Sequence, residues 1–252
     1  MMICSIGKTG LALAVGSGLV LGLLGWSTSA GQTQAPAKGQ SKSGANPDIN
    51  APFRKPNVKN FIAKFESEDR EIYAKRLEIV KALDLNEGEG VADVGAGTGL
   101  FTRLFAEKVG PKGKVYAVDV AAPFLKHIAD DAKKSGQTQV VTVLGAQDSI
   151  KVPPGSVDLV FLSDVYHHIE KPREVLASIH AALRPGGRLV VIDFDRVEGK
   201  SSSFVLKHIR ASQKVFRGEI EEAGFAHEPT PNAPKLRENF FLKFRRVDRS
   251  KP

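Results

Sequence analysis

Cysteine is almost absent from this chain of 252 residues, and its absence restricts the chemistry that the protein can perform. The single cysteine, Cys4, precedes the apolar segment 10–26, whereas the cysteine of a lipoprotein would have to follow such a segment. One cysteine forms no intrachain disulfide, and the chain beyond it offers no thiolate to a metal ion. The sequence therefore predicts no intrachain disulfide and no thiolate metal site, it assigns no metal ligand, and it is compatible with an oxidising compartment.

Charge is scarce at the start of the chain. Lys8 is the only charged residue before the apolar segment 10–26, and the small residues Ser27 to Ala30 follow that segment. A positive residue, an apolar run and a small-residue cleavage site indicate a secretory signal peptide. The run is short and glycine-rich for a spanning helix, but an uncleaved membrane anchor remains an alternative. We therefore predict that residues 1–30 are a signal peptide or membrane anchor, and that the protein is exported (periplasmic or extracellular) or membrane-anchored.

Large apolar side chains are scarce again in residues 31–50, which are rich in Gly, Gln, Ser, Ala, Pro and Lys. Such a segment buries too little surface to fold, so we interpret it as a disordered tether. The remaining residues, 51–252, are numerous enough for one sizeable α/β domain. Apolar residues at helical spacing within 58–65 and 73–80 predict two helices, which form an N-terminal cap over about 56–85.

Short apolar strands alternate with amphipathic helical segments through the rest of the chain. This alternation predicts a parallel sheet with helices on both faces. The last strand, 238–247, follows the strand at 226–227 too closely for a crossover helix. These two strands should therefore pair antiparallel.

A glycine-rich turn follows the first strand, where residues 91–99 read Val-Ala-Asp-Val-Gly-Ala-Gly-Thr-Gly. Glycines allow the tight turn and remove the Cβ atoms that would meet a ligand, and the next helix offers unpaired N–H groups. The second strand, 115–118, leads into Asp119, where an acidic side chain would accept hydrogen bonds from a ribose diol. The combination predicts a site for a nucleoside cofactor.

The glycine spacing discriminates between two kinds of cofactor. A dinucleotide site requires Gly-x-Gly-x-x-Gly, but Leu100 occupies the place of the last glycine. Asp93 lies within the strand, where a carboxylate would help to hold the ammonium group of a cofactor that carries an amino acid. The chain here resembles class I S-adenosylmethionine-dependent methyltransferases, whose first motif is Asp-x-Gly-x-Gly-x-Gly. The matching positions are Asp93, Gly95, Gly97 and Gly99.

The second half of the chain extends this resemblance, which covers roughly residues 53–247. The strand at 158–164 and the Leu-Arg-Pro-Gly-Gly turn at 183–187 look like the small-molecule branch of the family, typified by ubiquinone- and menaquinone-biosynthesis enzymes. The resemblance implies a Rossmann-like, seven-stranded sheet, mostly parallel with an antiparallel last strand, and S-adenosyl-L-methionine as cofactor. The cofactor-binding candidates are Asp93, Gly95, Ala96, Gly97, Gly99, Asp119, Val120, Ala146, Gln147, Asp148 and Ser163.

The chain departs from many of these relatives after the third strand. In those relatives an Asp followed by Ala binds the adenine amino group, whereas Ala146 and Gln147 occupy the two places here. Either Asp148 contacts the adenine from one residue further on, or Gln147 and backbone groups supply the contact. We favour Asp148, and the alternative without a ligand is that it only caps a short helix.

Methyl transfer requires the acceptor atom, the methyl group and the sulfur to lie in line, with water excluded. A general base matters only if the accepting atom still carries a proton that it must lose. Ligands of open α/β sheets bind at the carboxyl ends of the strands, and the fourth strand leads into a Tyr-His-His segment. We therefore expect His167 to act as base or substrate orienter, with Tyr166 as second candidate and His168 as third.

The net charge is +8 and the pI is about 9.5, so acidic macromolecules are conceivable partners. No aromatic-and-basic recognition pattern accompanies the basic C-terminal run, so a small-molecule substrate is expected rather than nucleic acid. Membrane contact is expected only through an uncleaved N-terminal segment. Three hypotheses remain open: a small-molecule methyltransferase, a methyltransferase of protein or nucleic acid, and a cofactor-binding module without turnover, since the cofactor is made in the cytoplasm.

Overall fold

The computed structural model describes Ala45 and residues 47–248. The predicted signal peptide or anchor and most of the predicted tether lie outside these residues. Within the described part of the chain, no helix has the length and apolarity needed to cross a membrane. The helices are α1 (Val58–Phe65), α2 (Glu71–Ala74), α3 (Arg76–Ala82), α4 (Leu100–Val109), α5 (Ala122–Lys134), α6 (Pro172–Ala182), α7 (Ser203–His208) and α8 (Gln213–Glu222). The strands are β1 (Gly90–Val94), β2 (Lys114–Asp119), β3 (Val140–Leu144), β4 (Val157–Ser163), β5 (Leu183–Phe194), β6 (Phe225–Glu228) and β7 (Asn239–Arg246).

Seven strands form one sheet in the order β3-β2-β1-β4-β5-β7-β6. Strands β1 to β5 pair parallel, whereas β7 pairs antiparallel with both β5 and β6. The predicted mostly parallel sheet with an antiparallel last strand is confirmed. The chain leaves β1 toward β2 on one side and later returns to place β4 on the other side. Ligands of open α/β sheets bind where the strand order reverses in this way.

Helices cover both faces of the sheet, which explains why its central strands are apolar throughout rather than alternating. Buried side chains of α6 and α8 pack on one face, and those of α3 and α4 pack on the other. In β4, Val160 belongs to the first cluster, while Leu159 and Phe161 belong to the second. Helices thus cover both faces of the sheet, and the place for a ligand lies at the carboxyl ends of the strands.

The N-terminal cap differs from the prediction in detail. Helix α1 is present as expected, but the second predicted helix is divided into α2 and α3 at Lys75. The tether was predicted to run to Asn50, yet residues Pro47–Phe53 form a 3-10 helix, and the backbone N–H of Ala45 donates to the carbonyl of Ile169. The folded domain therefore begins earlier than the composition indicated, because hydrogen bonds from Ala45 and Asn50 hold this segment against residues 168–170.

A second difference concerns the end of α6. Residues 183–187 were predicted as a turn, but α6 ends at Ala182 and Leu183 is already the first residue of β5. Leu183 is fully buried in either assignment. Burial alone therefore could not distinguish a turn residue from the first residue of a strand.

Candidate active site

The turn between β1 and α4 is anchored to the neighbouring strand. The backbone N–H groups of Gly95 and Ala96 both donate to the carbonyl of Val118, at 2.8 and 3.0 Å. Gly95, Gly97 and Gly99 all have positive φ, at +72°, +52° and +81°. Side chains other than glycine rarely adopt this conformation, which accounts for a glycine at every second position.

The three glycines have different surroundings. A Cβ at Gly95 would overlap a methyl of Val165, and one at Gly99 would lie 2.8 Å from Ile128. These two positions are glycine because protein atoms pack against them. A Cβ at Gly97 would meet nothing closer than the Gly95 carbonyl oxygen at 3.8 Å and the ring of Phe65 at 4.0 Å. Gly97 therefore leaves open space for a ligand.

Asp119 joins the turn to the end of β2. Its Oδ2 accepts a hydrogen bond from Gly97 N–H at 2.9 Å, and its Oδ1 accepts one from Ala121 N–H at 2.8 Å. A carboxylate has about four acceptor sites, so it retains capacity for two ribose hydroxyls. Burial raises its pKa, and the backbone N–H groups partly oppose that rise.

Asp93 is buried beneath the same turn. Its Oδ2 accepts a hydrogen bond of 2.6 Å from the hydroxyl of Thr102 on α4. Burial raises the pKa of Asp93 to about 7, with the charge of Asp119 adding to the rise, while the Thr102 hydroxyl opposes it. A cationic ligand near Asp93 would lower the pKa of this carboxyl group, because the positive charge stabilises the charged form.

These groups line one cavity of about 700 Å³, within the usual range of small-molecule sites, roughly 300–1,000 Å³. The hydroxyl of Ser163, at the end of β4, is buried there and has no hydrogen-bond partner among the residues that the structure describes. Buried hydroxyls are nearly always paired, so this one is available to a ligand. The predicted site residues in the cavity wall are Asp93, Gly95, Ala96, Gly97, Asp119, Val120, Ala146, Gln147, Ser163, His167 and His168.

His167 lies at the other end of the cavity and is 1% exposed. Its Nδ1 lies 2.7 Å from Oδ1 of Asp193, which is fully buried on β5, and its backbone N–H donates to Oδ2 at 3.0 Å. The carboxylate therefore fixes both the ring and the backbone of this residue. Donation from Nδ1–H leaves the lone pair on Nε2.

His168 is held by a different partner. Its Nδ1 lies 2.8 Å from Oδ1 of Asn50, and the Asn50 amide N–H group donates to the His168 carbonyl and to Glu170. Burial, with smaller contributions from His167 and His208, lowers the pKa of His168 to about 3. The ring of His168 is therefore neutral at physiological pH.

Asp164 connects the cap to the sheet at this end. It has a φ of +53°, unusual for a residue with a side chain, and its carboxylate pairs with Arg70 at 2.6 Å and Asn239 at 2.5 Å. Burial raises the pKa of Asp164, and Arg70 opposes that rise. Strained backbone that is held by several partners is common at ligand sites.

The structure places Tyr166, the second candidate for base or substrate orienter, outside the cavity wall. Its side chain is fully buried, packs against Phe216, and donates its hydroxyl to Glu219 at 2.9 Å. Arg210 pairs with the same carboxylate, at 2.6 and 2.8 Å. Tyr166 therefore stabilises the packing of α8 and does not line the cavity.

Two cofactor-binding candidates also lie outside the cavity wall. Asp148, favoured for the adenine, is half exposed and lies 4.0 Å from Lys171, while Ala146 and Gln147 line the cavity. The alternative with Gln147 and backbone groups is therefore the better reading. Gly99 caps α4 against Ile128 and does not line the cavity.

The sequence did not single out three polar residues that organise the site. Asp193 carried a signal, because it is an acidic residue inside an otherwise apolar strand. Thr102 and Asn50 have no such signal in the sequence, because Thr102 lies on an amphipathic helix and Asn50 lies in a segment of tether-like composition. Their roles depend on contacts between distant parts of the chain.

The fold and the site define an α/β domain for a nucleoside ligand, in which Leu100 is buried in the core where a dinucleotide site would have glycine. Residues 92–191 match the family model described as a methyltransferase domain. The predicted resemblance to methyltransferases is thus confirmed over this segment of the chain. The family and the fold imply S-adenosylmethionine as the cofactor, and the paired Asp119, the open space at Gly97 and the unpaired Ser163 hydroxyl fit it.

The chain is also similar to curated relatives, and it shares its fold with a solved structure. The chain is 32% identical over 124 residues to a ubiquinone/menaquinone biosynthesis C-methyltransferase of Pseudomonas paraeruginosa, covering 49% of this chain and 47% of the relative. It is 29% identical over 120 residues to a demethylmenaquinone methyltransferase of Anoxybacillus flavithermus, covering 48% and 51%. The chain thus spans about half the length of the curated relatives it matches. A SAM-dependent methyltransferase from Aquifex aeolicus shares the fold, with a TM-score of 0.62 and 24% identity over 77% of this chain and 100% of that chain.

Proposed function

We propose that the protein is an S-adenosylmethionine-dependent methyltransferase that acts on a small-molecule acceptor. The observation that carries the proposal is the single cavity shared by the glycine turn with Asp119 and by His167 with Asp193. The first group is arranged for a nucleoside and the second for an acceptor atom. A cavity of this size accommodates both ligands of a group-transfer reaction.

Each end of the cavity has its own task. Asp119 would bind the ribose, Asp93 would face the charged amino-acid end, and the Gln147 segment would contact the adenine. When bound, the cofactor supplies an electrophilic methyl group on a cationic sulfur. His167, oriented by Asp193, would position the acceptor atom and accept its proton at Nε2 as the new bond forms.

The acceptor end favours an apolar or aromatic molecule that carries a polar reacting group. The rings of Phe53, Phe194 and Phe204 line this end together with the histidines, and Phe204 is 58% exposed. An exposed aromatic ring at a cavity mouth is a common feature of binding surfaces for apolar ligands. The similarity to quinone-biosynthesis methyltransferases supports the same class of acceptor.

Calorimetry with S-adenosylhomocysteine, and NADH as comparator, tests the cofactor assignment. Asp119→Ala should lose about 1–3 kcal/mol of affinity, because buried donors are left unpaired. Turnover over phenols, quinols, amines and acids, beside protein and RNA panels, tests the acceptor class. Tighter binding of NADH would refute the cofactor, and turnover on macromolecules alone would refute the acceptor class.

We also propose that the protein is exported or membrane-anchored through its N-terminal segment. The proposal is supported by the pattern of Lys8, the apolar run 10–26 and the small residues up to Ala30. It is independent of the chemistry proposed for the cavity.

A further inference from the structure

Three histidines from two separate segments meet at the acceptor end of the cavity. His167 and His168 lie on the 3-10 turn after β4, and His208 is the last residue of α7. Their ring centroids are 4.1 Å apart for the first pair, and 5.1 and 5.3 Å from each of these to His208. One potential ligand nitrogen from each ring lies within 4.8 Å of the other two. Hydrophobic packing does not explain why three imidazole rings converge beside a ligand cavity.

In the first two histidines, a hydrogen bond to the protein occupies one ring nitrogen and leaves the other for a ligand. His167 uses Nδ1 to contact Asp193, and His168 uses Nδ1 to contact Asn50. Because the Asn50 amide donates elsewhere, its oxygen faces the ring and selects the Nδ1–H tautomer of His168. Within the described residues, no hydrogen bond reaches Nε2 of either histidine. Metal-binding histidines are typically oriented by a carboxylate or another acceptor at the second ring nitrogen in this way.

We propose that His167, His168 and His208 bind a divalent transition-metal ion, with zinc as the first candidate. Three imidazoles with one open position form a known type of catalytic zinc site. At zinc–nitrogen distances of about 2.0–2.1 Å, tetrahedral ligand atoms lie roughly 3.4 Å apart. A separation at the upper limit of 4.8 Å must therefore shorten by about 1.4 Å. His208 is only partly buried at the end of a short helix, so its ring has room to move.

The position of the ion would give it a part in the proposed reaction. The fourth ligand position would face the cavity, where a hydroxyl or phenol oxygen of the acceptor could bind. A bound divalent ion lowers the pKa of an oxygen ligand, so the acceptor would release its proton to solvent before methyl transfer. Its oxygen would then form a bond to the methyl carbon as the bond from that carbon to the sulfur breaks, and the cofactor would leave as a neutral thioether. His167 would then hold the ion rather than accept the proton. This role depends on the proposed methyltransferase function, whereas metal binding itself does not.

Metal binding can be measured directly on the full chain, purified without a polyhistidine tag and stripped with a chelator. Equilibrium dialysis against Zn²⁺, followed by mass spectrometry of the metal, should give one tightly bound ion per chain. Titration with Co²⁺ should produce the visible absorption of a four-coordinate histidine site. His168→Ala and His208→Ala should each lower the affinity at least tenfold, and Asn50→Ala should lower it by roughly 10- to 100-fold.

His127→Ala is the matched control, since His127 lies on α5 and does not line the cavity. It should bind zinc like the native chain. Circular dichroism and S-adenosylhomocysteine binding verify that each variant is folded. A native chain that binds the nucleoside but no more zinc than His168→Ala would overturn the metal site alone. A chain that binds zinc but not the nucleoside would overturn the proposed function alone.

Discussion

Substitution of Gly97 by alanine tests whether the glycine turn contacts a ligand. The residue has a φ of +52°, and an alanine there would pay roughly 1–2 kcal/mol of backbone strain. Its Cβ would contact no protein atom closer than 3.8 Å, so the methyl group adds no internal clash. The same methyl would occupy space next to the bound nucleoside. Forcing an additional methyl into a packed site costs about 1–3 kcal/mol, which corresponds to a ~5- to 150-fold loss of affinity.

Gly136 provides a matched control for this experiment. It also has positive φ, at +67°, and an added Cβ would meet nothing within 4 Å, but it lies in the turn after α5, away from the cavity. Gly136→Ala should therefore show similar strain in urea unfolding and unchanged S-adenosylhomocysteine binding in calorimetry. If Gly97→Ala binds the nucleoside like the native chain, or if both variants lose affinity equally, the turn does not approach the ligand as argued.

Three further predictions concern separate parts of the chain. Asp93, with a pKa of about 7, should lose its proton when the cationic cofactor binds, so the affinity for the cofactor should rise from pH 6 to 8. The released proton should make the calorimetric heat of binding near pH 7 depend on the buffer. A heat of binding that is the same in all buffers would contradict this prediction. Tyr166→Phe removes the hydrogen bond to Glu219, so it should lower the free energy of unfolding in urea by about 1–2 kcal/mol without changing the affinity for the nucleoside. Loss of turnover with unchanged stability would instead support a catalytic role for Tyr166. Fusion of residues 1–50 to a reporter that is active only outside the cytoplasm should give a signal, and deletion of residues 10–26 should abolish that signal. A fusion that accumulates in the cytoplasm without reporter activity would refute export.

The pH dependence of Asp93 also has a consequence for stability. Its carboxyl keeps its proton in the folded domain up to about pH 7, whereas in the unfolded chain it ionises near 3.8. The folded state therefore binds more protons between these values, so the contribution of this group to stability falls as the pH rises through them. Ligand binding above pH 7 would offset this loss, because the cationic ligand pairs with the carboxylate.

The sheet could be predicted from the sequence because its determinants are local. Five apolar strands, each bounded by glycine, proline or a charged residue, alternate with helical stripes, and this pattern leaves few topologies. The antiparallel end followed from the short connection before β7. The break between α2 and α3, and the start of the domain near residue 47, depend on tertiary contacts and leave no periodic signal.

The nucleoside end of the site was predictable for the same reason. Gly95, Gly97 and Asp119 must stand at fixed offsets from strand ends, so their spacing is visible in the chain. The spacing of the glycines does not distinguish one that leaves space for a ligand from one against which a side chain packs. Only the surroundings of Gly95 and Gly97 separate these two roles.

The acceptor end could not be read in this way, and the geometry of the 3-10 turn gives the reason. With three residues per turn, successive side chains point about 120° apart. Tyr166 therefore points into the core toward Glu219, His167 toward Asp193, and His168 toward Asn50. Three adjacent residues with similar chemistry thus receive three different environments. The partner of each comes from a distant segment, so the roles within this turn are determined by the fold around it rather than by the order of the residues.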